Sequence, residues 1–402
     1  MWNFNKLLNI KGYQITKYYV TKQDVLIFLK SRRKTAVCQK CLRRSCILHD
    51  YSKFQQNKHG KVLGRFVILC FRRRRFYCSY CSQVFSETSS LLPLRQRATY
   101  EHKKAVILNL ADRSFSSGKK EFGVSYNTQV RYLKELLKNK ILSFVKEERE
   151  NTSFSLGIDE VSFSGHKMLT TVANLTKRRL KGVLLSRNKT ELKQLLIGLS
   201  PGIKKLIKEV SIDMCELYLR TVKETLPQVN VVVDKFHVIK DGNSRIDEQR
   251  RLLQELYHRY RGIPKVLWLK NQEHLTLKET RLLKELLKQY PELSLYYQTK
   301  ERLREMYKSL TKEEAERKLK LIIISLKSTD DGELITWGNT LSYWKEHILN
   351  YFNHKTTNAY LEGMHNKMKL IKRISFGFKN KEVFIHKVML SVLLSTIVIP
   401  QF

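Results

Sequence analysis

Acidic residues are scarce in this sequence. Its 402 residues hold 37 Asp and Glu against 76 Lys and Arg, a formal charge of +39. Such an excess drives a compact chain apart by self-repulsion unless a polyanion shares the work. Nucleic acid fits, because each neutralised phosphate releases condensed counterions. A membrane surface is the rival, but the basic residues run along the whole chain rather than forming one juxtamembrane cluster. Long apolar runs are missing too. The most apolar stretch, residues 388–400, is too short to span a bilayer and is predicted as a buried helix. Met1-Trp2-Asn3-Phe4-Asn5-Lys6 lacks the apolar core and cleavage site of a signal peptide. There is no internal repeat and no low-complexity linker. A soluble intracellular protein without a membrane partner is expected.

Hydrophobic residues make up 42% of the chain, enough to bury sizeable cores and to exclude wholesale disorder. At roughly 100–200 residues per domain, several domains are expected. The pattern predicts an α+β multidomain chain. Residues 1–30 alternate as a hairpin does. Residues 38–81 carry cysteine pairs, and residues 96–145 read as three short amphipathic helices. Short β-rich runs follow at 154–163, 168–175, 180–185, 209–212 and 229–233, with helical patterns at 190–199 and 215–226. That alternation suggests an α/β domain with a mixed sheet. Residues 244–350 read as all-helical, and 356–373 as one more helix.

Cys38-Gln39-Lys40-Cys41 and Cys78-Ser79-Tyr80-Cys81 are two Cys-x-x-Cys pairs. Together they supply the four thiolates of one closed structural zinc site, with a strand expected over 61–71 between them. Cys46, Cys70 and Cys215 have no such partner and read as small buried residues. Residues 1–95 are therefore expected to form a zinc-binding β module. Arg72-Arg73-Arg74-Arg75 beside the second pair suits phosphate or groove contacts, or else a solvated face.

Residues 96–150 fit a helix-turn-helix. One helix reaches Phe122, Gly123 permits a tight turn, and Ser125 can cap a second helix buried through Val130, Leu133 and Leu137. Tyr126, Asn127, Thr128, Gln129 and Arg131 would then stand at its exposed start, where such modules read the major groove. An ordinary helical hairpin is the plainer alternative.

The remaining acids form a pattern. Asp159 lies inside an apolar strand, where an unpaired charge is costly and needs a cation or a partner. Asp213 and Asp234 each end an apolar run. Glu362 lies in a helix expected to bury Leu361, Met364, Met368 and Ile371. His365, Asn366, Lys369 and Arg373 would share its polar face. Such acids offer the hard oxygens that Mg²⁺ or Mn²⁺ takes. Two ions about 3.5–4 Å apart would activate an attacking oxygen and stabilise a leaving one.

Gly157-Ile158-Asp159-Glu160, Ser211-Ile212-Asp213-Met214, Val232-Val233-Asp234-Lys235-Phe236-His237-Val238-Ile239-Lys240 and Asn358-Ala359-Tyr360-Leu361-Glu362-Gly363-Met364-His365-Asn366-Lys367-Met368-Lys369, with the cysteine pairs, resemble the transposases of the ISL3 insertion-sequence family. The resemblance implies an RNase H-like catalytic domain over 151–402, with a helical insertion at about 244–350 and an Asp-Asp-Glu triad. Asp159 and Glu362 carry over directly. The implied strand order favours Asp213 as the second acid, with Asp234 as the alternative and His237 in support. A helix N-cap is the plainer role for Asp213. The resemblance further implies binding of double-stranded DNA at the element's terminal inverted repeats and at the target. It implies metal-dependent hydrolysis followed by strand transfer, a homo-oligomer when active, and a cytoplasmic, nucleoid-associated prokaryotic setting. Trp337 or Trp344 could stack on unpaired bases, although core packing is the simpler role. Two rival functions stay open: a non-enzymatic zinc-finger and helix-turn-helix DNA-binding protein, whether a regulator or an inactive transposase remnant, and a nuclease acting on RNA–DNA hybrids.

Overall fold

The computed structural model describes residues 8–89, 91, 96–146, 152–256 and 264–396. The chain divides into two compact units: Met1–Leu142 with Leu370–Phe402, and Ser143–Lys369. The final residues thus group with the N-terminal unit instead of with residues 151–369.

The first unit begins with β1 (Tyr13–Val20), β2 (Asp24–Ser31), β3 (Ala36–Val37), β4 (Arg44–Ser45), β5 (Leu48–Tyr51), β6 (Gln55–Val62), β7 (Arg65–Phe71), β8 (Arg74–Cys78) and β9 (Gln83–Ser86). The expected hairpin is β1 against β2. It joins a four-stranded sheet in the order β1-β2-β7-β6, and β5-β8-β9 form a second sheet. Tyr13, Ile27, Leu29, Val67, Leu69 and Phe71 fill the core beneath the first. The single strand expected over 61–71 is two, because Leu63 and Gly64 take positive φ (47° and 79°) and turn the chain back.

Helices Tyr100–Asp112, Phe115–Phe122 and Tyr126–Lys146 follow. Thr99 and Ser114 cap the first two through their hydroxyls, leaving fewer orphan N–H groups. Gly123 ends the second at φ 61°, a conformation that costs glycine nothing. Leu133 and Leu137 are buried as expected, but Val130 is only half-buried and Tyr132 takes its place in the core. Of the buried helix expected over 388–400, residues 388–396 belong to a helix that starts earlier, Lys381–Thr396, and 397–400 lie outside the described residues. That helix packs on Tyr100–Asp112 through a run that includes Val383, Phe384, Val388 and Leu390. No helix among the described residues is long and apolar enough to cross a membrane.

The second unit is built on β10 (Phe154–Ser164), β11 (Lys167–Asn174), β12 (Arg179–Leu184), β13 (Ile207–Ile212) and β14 (Asn230–Val233), in the order β12-β11-β10-β13-β14. β10, β11 and β12 are antiparallel, whereas β10, β13 and β14 run parallel. Parallel strands need crossovers, and helices supply them: Lys189–Ile197 and Pro201–Leu206 before β13, Glu216–Thr225 before β14. β14 reads as an apolar run, Val231-Val232-Val233, whereas β13 buries Glu209 and Ser211 among its apolar residues.

The helical segment starts earlier than residue 244, because Lys235–Leu256 is one helix. Lys265–Leu269, Leu277–Gln289, Pro291–Met306, Lys312–Lys327 and Gly332–Leu349 complete it. Trp337 is fully buried, stacked on Tyr296 and against Gly242, and Trp344 is buried too. Neither indole is open to a base, so core packing is their role. Each such side chain contributes about 1.5–3 kcal/mol by leaving water.

Candidate active site and thiolate centre

Strand register brings the three aspartates together. Gly157 of β10 pairs with Ser211 of β13, and Ser211 with Val232 of β14. Two residues further along each strand stand Asp159, Asp213 and Asp234, on the same face by the two-residue period of a strand. The Asp234 N–H donates to the Ile212 carbonyl at 2.9 Å, carrying the pairing to that end. Asp159 and Asp234 are buried and Asp213 is half-buried. Asp213 does not cap the next helix: Cys215 holds the N-cap position without a side-chain bond.

Two histidines face Asp159. His237 Nε2 lies 3.8 Å from its Oδ1, and His237 Nδ1 lies 3.5 Å from Asp234 Oδ2. His365 Nδ1 lies 3.7 Å from Asp159 Oδ2, from a helix, Ala359–Ile374, packed close against β10. Gly157 allows that closeness. A Cβ there would come within 2.7 Å of Asn358 Oδ1 and Leu175 Cδ2 and 2.9 Å of Leu361 Cδ1. Asn358 Nδ2 donates to the Ile158 carbonyl at 3.3 Å and ties the helix start to the strand.

Glu362 is placed differently from the aspartates. It is exposed in the first turn of that helix, and His365, not Glu362, turns inward, with Met364 half-buried. The expected sharing of one outer face by Glu362 and His365 therefore fails. The only group of three or more metal-ligating side chains close enough for one ion among the described residues is the four cysteines.

Electrostatics single out the aspartates. Burial pushes Asp159 up to about 6, opposed by His237 and by the Glu160 N–H, which donates to its Oδ1 at 2.7 Å. Burial, with Glu160 and Asp159 nearby, pushes Asp213 up to about 7. Burial alone would lower His237, but Asp234, Asp159 and Asp213 outweigh it and hold the imidazole above its ordinary value. Burial, helped by Lys369 and His237, brings His365 down to about 4. The buried oxygens Asp213 Oδ1 and Asp234 Oδ1 meet no hydrogen-bond donor. Hard acceptors left unsatisfied beside a raised carboxylate fit a divalent cation.

Sequence reasoning missed several neighbours. Glu160, beside Asp159, pairs with Arg187 at 2.7 Å, and Arg187 also donates to the buried Cys215 thiol at 3.0 Å. Thr171 bridges Asp159 and His365. The Asp159-Glu160 doublet was the one available signal for Glu160. Nothing local marked Thr171 or Arg187.

In the first unit, Cys38, Cys41, Cys78 and Cys81 place their sulfurs within 4.8 Å of one another. Cys38 and Cys81 are 3.5 Å apart, Cys41 and Cys78 3.6 Å. A tetrahedral zinc with bonds near 2.3 Å asks for sulfurs roughly 3.8 Å apart. Leu42 and Ser82, each following the second cysteine of its pair, both take positive φ, so the two knuckles turn alike. Backbone N–H groups of Cys41 and Lys40 bring Cys38 down to about 6, whereas burial and the neighbouring thiols push Cys81 up to about 12. Cys70 and Cys215 are buried as expected, but Cys46 is exposed.

The proposed DNA contacts divide. Asn127 and Arg131 are exposed and Thr128 half-buried, with its hydroxyl 3.1 Å from that of Ser125. Gln129 is fully buried and donates to the Phe115 and Val124 carbonyls, so it clasps the turn instead of facing a groove. Arg72 is exposed. Arg73, buried, donates to the Glu87 carbonyl, Arg74 pairs with Glu87 at 2.7 Å, and Arg75 reaches Asp50 at 3.1 Å. β8 begins only at Arg74, so Arg72 and Arg73 precede the strand. Asn366, Lys369 and Arg373 are exposed.

Comparison with known proteins gives this arrangement its class. A family model described as a transposase, that of the ISL3 group, matches residues 156–388, from β10 into the last helix. The transposase for insertion sequence element IS1001 of Bordetella parapertussis is 25% identical over 371 residues, covering 90% of each chain. The transposase for IS1557 of Mycobacterium tuberculosis is 24% identical over 266 residues, 59% of this chain and 60% of its own. The chain belongs to the ISL3 family of insertion-sequence transposases.

Proposed function

We propose that this chain cuts and joins DNA at the ends of an insertion sequence by metal-dependent phosphodiester hydrolysis and strand transfer, with Asp159, Asp213 and Glu362 as the acidic triad. The strand order and directions, with helices crossing between the parallel strands, support an RNase H-like catalytic domain. The observation that carries the reading is the row of aspartates aligned by the strand register, in which Asp159 and Asp213 are held well above the carboxylate range.

Asp213 is favoured as the second acid because it is half-open, whereas Asp234 is buried and faces His237. Asp234 then orients that imidazole, whose other nitrogen faces Asp159. Glu362 reaches the site from its exposed helical turn only when DNA and metal draw it in. Mg²⁺ or Mn²⁺, bound as two ions by these acids, would supply the charge that activates the attacking oxygen and stabilises the leaving one. Asn366 and Lys369 hold phosphates nearby, so that the freed 3′-hydroxyl meets target DNA in a fixed geometry. No Ser or Tyr nucleophile is required.

The cysteine centre, holding one structural Zn²⁺, and the helix-turn-helix bind the terminal repeats through Arg72, Arg75, Asn127, Thr128 and Arg131. The active form is a homo-oligomer bridging two ends in the cytoplasm. Asp159→Ala tests the reading. Cleavage of end DNA should vanish while binding survives, and persistent cleavage would sink it. A purely DNA-binding role predicts no cleavage by the parent chain. A hybrid nuclease predicts cleavage of RNA–DNA duplexes without preference for repeat ends.

A further inference from the structure

The second unit has a cavity of about 830 Å³ on the flank of the Ala359–Ile374 helix away from Glu362. Tyr360 and Lys367 line it, and helical period sets both roughly 140–160° round the axis from Glu362. Leu175, Tyr360 and Met364, all half-buried, give it an apolar lining. Arg178, from the turn between β11 and β12, and His354, from the segment before the helix, stand exposed at it. Arg178 has φ 51°, and Lys355, next to His354, has φ 52°. Glycine or asparagine adopts that left-handed backbone more easily than a long side chain does. Strain held at basic residues on two separate segments points to a use for their charge.

The two ends of the cavity differ in charge. Next to His354 lies Glu209, fully buried. Its Oε2 accepts from the Thr356 hydroxyl, and its Oε1, which meets no hydrogen-bond donor, lies 3.7 Å from His354 Nε2. That unspent charge repels a phosphate from the His354 end and leaves the Arg178 end to receive one. A nucleobase, neutral and edged with N–H groups, suits the carboxylate-backed end and the apolar lining. Phosphate at one end and base at the other is the make-up of a single nucleotide. A base stacked in a duplex cannot enter such a cavity, so the nucleotide must be unpaired.

We propose that this cavity is a DNA subsite for one unpaired nucleotide turned out of the duplex, with its base against Leu175, Tyr360 and Met364 and its phosphate at Arg178. This deepens the proposed function, resting on its reading of the chain as a DNA-cutting enzyme. Ser155 of β10 lines the cavity, four residues before Asp159. At about 3.3 Å per residue the two stand roughly 13 Å apart, about four steps of a duplex at 3.4 Å each. The extruded nucleotide thus lies within a few steps of the bond that is cut. Gly363 also lines the cavity, and a Cβ there meets nothing within 4 Å. A larger side chain at that position has room to fill the cavity.

The test uses the full-length chain and duplex end DNA carrying 2-aminopurine at one position after another around the cut bond, without added Mg²⁺ or Mn²⁺. One position should brighten as its base leaves the stack. Gly363→Trp, filling the cavity, should abolish that brightening and weaken binding about fivefold or more, the worth of one base contact. Gly363→Ala should keep both. Arg178→Gly relieves the backbone strain, so it should leave the melting temperature no lower. It should also reduce the slope of log affinity against log salt by about 0.9, one phosphate contact. No brightened position, brightening that survives Gly363→Trp, or a salt slope unchanged in Arg178→Gly overturns the subsite, while cleavage of end DNA by the parent keeps the catalytic reading. If the parent neither binds nor cuts end DNA, the proposed function falls and the subsite with it.

Discussion

Asp159 and His237 face each other across 3.8 Å, Oδ1 to Nε2, with Asp234 on the far side of the imidazole at 3.5 Å. After burial, His237 is the strongest influence on Asp159, and it acts to lower the carboxyl.

Removing that imidazole should therefore raise Asp159 above its value of about 6. If cleavage needs the carboxylate ionised, His237→Asn moves the acidic limb of the pH–rate profile to higher pH. The plateau at high pH should change less. A uniform loss of rate with the limb unmoved would mean that His237 only packs.

Asp213 gives a stability prediction with a definite sign. Its folded value, about 7, lies above the ordinary 3.8. A raised carboxyl stabilises the fold below its unfolded value, and that contribution is lost as pH rises through the folded value. Without divalent ions, stability should fall from about pH 4 to about pH 7 because of this group. Asp213→Asn removes the buried charge, so the metal-free variant should melt above the parent at pH 8. Added Mn²⁺ should narrow the difference by stabilising only the parent. Melting curves with and without chelator decide it.

Much of this was legible in the sequence. The five strands of the second unit appear as short β-rich runs, and Asp213 and Asp234 stand where two of them stop, but Asp159 lies mid-strand and only the pairing register brings it level with the others. The Cys-x-x-Cys pairs announced their own convergence. Facing direction was less legible. Helical period puts Glu362 and His365, three residues apart, side by side but offset round the helix, so either could stand at the edge of the inward face, and only the packing of Leu361 and Asn358 against β10 decides it. Gln129 looked like a groove-reading side chain because its sequence neighbours are polar. Its burial depends on the carbonyls of Phe115 and Val124, which only the turn brings near.

The turn gives a pair of contrasting variants. Gln129→Ala removes the amide that donates to the Phe115 and Val124 carbonyls and should cost about 1–3 kcal/mol. Asn127→Ala, exposed in the same first turn, should leave the melting temperature unchanged while weakening binding to repeat ends. If Gln129→Ala weakens DNA binding without lowering stability, the clasp is not its role.

The cysteine centre predicts one zinc per chain. Cys78→Ser breaks the closed set and should release the metal and lower the melting temperature of the N-terminal unit, because metal binding energy is folding energy there. Repeat-end binding should fall with it. Full zinc occupancy in the serine variant, measured by atomic absorption, would contradict a four-thiolate site.

The most specific prediction concerns Gly157, which has no chemistry of its own. A methyl there would meet Asn358 Oδ1, Leu175 Cδ2 and Leu361 Cδ1 at less than 3.0 Å, so those side chains must shift, and with Asn358 and Leu361 the start of the helix carrying Glu362 and His365. Overpacking of that kind costs about 1–3 kcal/mol. The functional loss should exceed the stability loss, because a shift of about 1 Å in a reacting group can cost a hundredfold in rate. Leu361→Ala on the Gly157→Ala background vacates one of the three contacts and should recover part of the cleavage rate while lowering stability further. That opposite movement of rate and melting temperature is what helix placement predicts. A double variant that loses both together would show that Gly157 serves packing alone.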